Sequence, residues 1–124
     1  MGREALACLL IFITLHGGVI QDAYAPHYDK GLMARVAARR DMQPQACMIS
    51  SAQYGIGEWV WVFGKRTGAL LHCQVIDVSQ TRHKKGHIAR LRLIELDYAV
   101  TRQLCGTVNG SSAECPVTII KLGE

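Results

Sequence analysis

Between Cys73 and Cys105 the chain reads CQVIDVSQTRHKKGHIARLRLIELDYAVTRQLC. No other stretch constrains the fold as strongly. Residues 69–78 are apolar and β-rich and read as a buried strand, with one acid, Asp77, near its end. Residues 79–89 are polar and basic and read as a loop. A second apolar run, 90–96, returns as a strand and carries Glu95. Residues 97–104 predict a two-turn helix with Asp97 as N-cap, stopped by Gly106. Two neighbouring strands thus each end close to a carboxylate, and cysteines bracket the unit.

The other cysteines place the domain in an oxidising compartment. Residues 5–15, ALACLLIFITL, form an uncharged apolar run too short to span a bilayer comfortably. Ala23-Tyr24-Ala25 supplies a small-x-small site, so residues 1–25 read as a cleaved signal peptide. An uncleaved segment would instead act as a membrane anchor. Removing it leaves 99 residues with Cys47, Cys73, Cys105 and Cys115. An even number of cysteines in a short exported chain predicts a disulfide framework. Three pairings are open, of which Cys47–Cys73 and Cys105–Cys115 are favoured. The second closes a short step through an Asn109-Gly110 turn. A zinc site is disfavoured, because no two cysteines stand at C-x-x-C spacing. Neither a metal nor a cofactor is expected.

The remaining chain organises as one domain, 31–124, after a short linker, 26–30. Residues 31–40 alternate in strand periodicity, although their Ala and Arg content would suit a helix. Residues 41–45 contain Pro44 and read as a loop, and residues 47–50 as a short strand. Residues 58–63, EWVWVF, are β-rich, with Trp59, Trp61 and Phe63 on one face and Val60 and Val62 on the other. Lys65-Arg66-Thr67-Gly68 predicts a hairpin turn, and residues 115–122 a last strand. Six short strands and one short helix predict an all-β domain with minor helix.

The order of these pieces resembles the double-psi β-barrel of the rare lipoprotein A, expansin and barwin group. The matching residues are Gly55-Ile56-Gly57, Val60-Trp61-Val62, Gly68, Val75-Ile76-Asp77, Ile94-Glu95-Leu96 and Leu104-Cys105-Gly106. The resemblance extends over residues 31–122. The resemblance implies a six-stranded double-psi β-barrel with a groove that binds or cleaves polysaccharide. It places the groove acids at Asp77 and Glu95. The chain departs from the group where Arg-Gly-Pro usually follows the first acid, reading Val78-Ser79-Gln80 instead. It also lacks the group's histidine before the Gly-containing turn. These departures favour binding over catalysis.

The expected function is therefore that of a secreted or periplasmic protein that binds cell-wall polysaccharide. The alternative is a lytic transglycosylase-like enzyme that cleaves peptidoglycan glycan strands, with Asp77 as general acid. Both acids have a plainer use, since strand-end carboxylates also cap loops or pair with arginines, and Arg82, Arg90 and Arg92 are near in sequence. Tyr54, Trp59 and Trp61 are candidate sugar-stacking residues, although barrel tryptophans also serve as core. Arg82, Lys84, Lys85 and Arg90 would grip anionic groups. His83 and His87 stand four apart, but two lysines between them would repel a cation. Residues 26–124 carry a net charge of +5, thirteen Lys and Arg against eight Asp and Glu. That excess suits an anionic wall polymer or peptidoglycan, and export argues against nucleic acid. A monomer is expected.

Overall fold

The computed structural model describes residues 2–79, 81–107 and 114–123, and of Thr81 only the backbone. The Asn109-Gly110 turn expected from the sequence lies outside them. In chain order the elements are α1 (Gly2–His16), β1 (Gly18–Ala25), α2 (Leu32–Arg39), β2 (Met48–Ser51), β3 (Trp59–Gly64), β4 (Leu70–Val78), α3 (Thr81–Ala89), β5 (Ile94–Leu96), α4 (Tyr98–Cys105) and β6 (Cys115–Leu122).

Period-two patterning decides how β3 sits. Val60 and Val62 are fully buried, while Trp59, Trp61 and Phe63 are only partly covered. The six strands form one sheet in the order β1-β6-β3-β4-β2-β5. The β2–β4 pair is parallel, and the other four pairs are antiparallel. The sheet curls into a half-barrel. Its two edges approach where residues 26–28 meet β5: Leu96 N donates to Pro26 O and Tyr28 N to Leu96 O, each at 2.8 Å.

The concave side holds the main core, including Ile49, Val60, Val62, Val75, Leu96, Leu104 and Ile119. Each such side chain contributes roughly 1.5–3 kcal/mol on burial. A second cluster lies on the outer side, where Met33, Val36 and Ala37 of α2 cover Met48 and Ile76. Both favoured disulfides are present. Cys47–Cys73 ties the chain entering β2 to β4, and Cys105–Cys115 ties the end of α4 to the start of β6. Cys8 is free and exposed. Among the described residues, no helix is long and apolar enough to cross a membrane.

Four expectations change. Residues 32–39 form helix α2, not a strand. Met33, Val36 and Ala37 recur at helical spacing on one buried face, and the flanking alanines only mimicked alternation. Residues 81–89 form helix α3, not a loop, so Gly86 is tolerated inside a helix at a cost of about 1 kcal/mol. The strand expected over 90–96 shortens to three residues, because Leu91 adopts φ 58° and breaks the extended chain. Finally, residues 18–25 are a full strand of the sheet, and residues 26–28 bridge its edges rather than hanging as a linker.

Candidate functional site

The site is organised by β2. Ser50 stands in register with Asp77 of β4 on one side and Glu95 of β5 on the other. Adjacent strands lie about 4.8 Å apart, so the two acids are roughly 9–10 Å apart at Cα. Plain alternation would place Asp77 with Cys73 and Val75, which face the main core. A register shift between Ile49 and Ser50 re-aims it. Asp77 consequently meets Tyr28 and Arg40, beside α2, rather than the main core.

Both carboxylate oxygens of Asp77 are engaged. Tyr28 Oη donates to Oδ2 at 2.9 Å, Arg40 donates to Oδ1 at 2.8 Å, and the Val78 N–H donates to Oδ1 at 3.0 Å. The carboxylate is thus arranged as an acceptor. Burial pushes the Tyr28 phenol far above its ordinary range; Ser50 pulls it back, and the charges of Asp77 and Glu95 raise it further. Ser50 is itself buried.

Glu95 has a different environment. Burial is the main reason its carboxyl is held above the usual range. His87 and Arg92 partly offset that effect, and the Asp77 charge adds to it. His87 reaches this point from α3, and its Nδ1 lies 3.0 Å from Ser79 Oγ. Arg92 also pairs with Glu114.

Helix α3 carries Arg82, Lys84 and Lys85 on its exposed surface, and Arg90 follows just past its end. His83 and His87 stack at 6.1 Å between ring centroids, as helical i, i+4 neighbours do. Among the described residues, no group of three or more His, Cys, Asp or Glu could hold a metal. Lys84 borders a recess of about 260 Å³ between the Ser51–Gly55 turn and Val78-Ser79. Tyr54 lines the same recess.

The aromatic candidates form a separate strip on the sheet. Trp61 stacks on His72 at 4.3 Å with an interplanar angle of 18°, and Trp59 packs on the same imidazole at 4.8 Å. The strand register produces this directly, because Trp61 pairs with His72 across β3 and β4. Lys121 continues the strip: its Nζ donates to Trp59 O at 3.2 Å and lies 6.0 Å above the Tyr54 ring. Packing against the rings strips water from His72 and, with the Lys121 charge, holds it below the ordinary histidine value.

A larger cleft of about 890 Å³ opens elsewhere, lined by His27, Asp29, Lys30, Tyr98, Arg102 and others. The acids do not line it. The structure therefore brings Asp77 and Glu95 together, joins Trp59 and Trp61 into one strip, and keeps the two groups apart. Sequence reasoning missed Tyr28, Arg40, Ser50, His72 and Lys121, and weighed His87 only as a metal ligand. The strand pattern around His72 could have found its partnership with the tryptophans. Nothing local marked Tyr28 or Arg40, which come from 49 and 37 residues away. No protein-family model, no curated protein and no solved structure matches the chain.

Proposed function

We propose that this chain is an exported cell-wall protein that binds polysaccharide through the outer face of a double-psi type β-barrel. The observation that carries this reading is the Trp59–His72–Trp61 stack. Trp61 lies near-parallel to His72 and Trp59 is tilted 34° to it, so the two partly exposed indoles share one strip, whose uncovered surface would pack on pyranose rings. Lys121 at one end of the strip and the exposed cations of α3 suit an anionic wall polymer. The six strands, the parallel β2–β4 pair and the bridge from residues 26–28 to β5 support the barrel type. Two disulfides support an oxidising compartment. The test is a tryptophan-fluorescence titration with soluble peptidoglycan oligosaccharides. Saturable change in wild type that Trp61→Ala abolishes supports the reading, and no change in wild type defeats it.

A second reading is a lytic transglycosylase-like activity at Ser50, favoured by the two unlike carboxyl groups that flank it. The hydrogen-bond inventory moves the proton-donor role away from Asp77, which only accepts. Glu95 is the better donor, since burial favours its protonated form. Asp77 would then hold developing positive charge. Release of soluble glycan by wild type, lost in Glu95→Gln, is the result that this reading requires.

A further inference from the structure

We infer that the leader of this chain is removed at the Gly17–Gly18 bond and not after Ala25, so that the folded protein begins with β1. The inference rests on the export reading above and adds where the exported chain must start.

The evidence is the unequal stake of the two neighbouring elements in the fold. β1 pairs with β6 through eight consecutive registers, from Gly18↔Leu122 to Ala25↔Cys115. Ala23 and Ala25 are 3% and 2% exposed within the main core. Asp22 holds Lys65 Nζ at 2.9 Å and accepts from the Thr118 hydroxyl at 3.0 Å. The Tyr24 N–H donates to Leu91 O at 2.9 Å, tying β1 to the chain that enters β5. Helix α1 is the opposite case. None of its residues is buried, and Ile11 and Leu15 are 61% and 72% exposed.

Loss of α1 therefore takes nothing from the core. Loss of β1 removes core side chains and uncovers the whole edge of β6, a long unpaired edge of the kind that aggregates. A leader peptidase acts on the extended chain before it folds, so burial does not protect the Ala25–Pro26 bond. That bond is excluded because its product lacks a strand that the fold uses.

The junction offers one small residue before the bond, without the small-x-small pair of Ala23-Tyr24-Ala25. The apolar run ends at Leu15, and the Gly17 N–H closes the helix on Ile13 O at 2.8 Å. Gly17 is the first small residue after the apolar run and stands directly before the bond. Hydrolysis adds water across it, giving a Gly17 carboxylate on the leader and a free Gly18 amino group on the domain.

The test expresses the full chain with a C-terminal tag in an exporting bacterial host. Intact mass and N-terminal sequencing are read separately on the cell interior and on the exported fraction. Exported protein that starts at Gly18 is expected. Gly17→Asp, which puts a charge before the bond and leaves β1 intact, should accumulate as uncut precursor at least tenfold over wild type. Exported protein starting at Pro26, or anywhere later than Gly18, overturns the inference and leaves export standing. Uncut wild type confined to the cell interior overturns both.

Discussion

Tyr28 donates its hydroxyl to Asp77 Oδ2 at 2.9 Å, across 49 residues of sequence. That bond couples the segment following β1 to the strand that carries the first acid. It also accounts for one of the three donors that occupy Asp77. Removing the hydroxyl leaves the ring packed but deprives a carboxylate of a partner. Tyr28→Phe should cost about 1.5–3 kcal/mol, the range for hydrogen bonds to charged groups. Denaturant unfolding of Tyr28→Phe, Asp77→Asn and the double variant checks this. The two single effects should be clearly non-additive, and simple additivity would mean the pair is not coupled.

Glu95 links structure to pH. Its folded-state value is raised above the ordinary glutamate value of 4.5, chiefly by burial. The folded protein therefore binds the Glu95 proton more tightly than the unfolded chain does. Stability contributed by this group is fully present below 4.5 and is lost as pH rises through the raised value. Glu95→Gln should make the protein more stable at neutral pH and remove that part of the pH dependence. Thermal melts from pH 4 to pH 8 decide it. A variant less stable than wild type at pH 7 would show that the carboxylate is a needed ion-pair partner.

Gly64 marks a close approach between β3 and α4. A Cβ there would lie 2.1 Å from the Leu104 carbonyl oxygen, and the obstacle is backbone, not a movable side chain. Gly64→Ala should destabilise by at least about 1–3 kcal/mol, the usual cost of overpacking. Chemical denaturation measures it, and an unchanged midpoint would mean that α4 can retreat freely.

Much of the central sheet was legible before the structure. The alternation in EWVWVF and the Asp97 cap follow from local chemistry and the disulfide framework from the cysteine count, while the observed pairing was the favoured one of three. Helix α4 was expected; α2 and α3 were not. In α2 the alanines fill both faces, so period two and period 3.6 fit equally until Met48 and Ile76 supply the surface that Met33 and Val36 cover. In α3 a glycine and three cations, Arg82, Lys84 and Lys85, argue for loop, yet the helix forms. The site was half legible. Asp77 and Glu95 were identifiable from strand ends, but their relation through Ser50 depends on the β2 register shift, a feature without a local signature. The unlike roles of the two acids depend on Tyr28, Arg40 and His87, contributed by distant segments.

The cations of α3, with Arg90 just past its end, should govern ionic-strength dependence. Lys84, Lys85 and Arg90 are exposed, and such charges are screened over about 10 Å at 0.1 M salt. Replacing all three with Gln should weaken binding to an anionic wall polymer at low salt and flatten its salt dependence. Affinity measured at two ionic strengths tests this, and a salt slope equal to that of wild type would remove α3 from the interface.

The most direct measurement is co-sedimentation of the folded protein with purified peptidoglycan sacculi, with bound protein and released soluble glycan scored separately. Wild type should sediment with the sacculi, and Trp61→Ala, which breaks the 4.3 Å stack on His72, should stay largely in the supernatant. Wild type that fails to sediment, or Trp61→Ala that sediments as well as wild type, would contradict glycan binding by the aromatic strip.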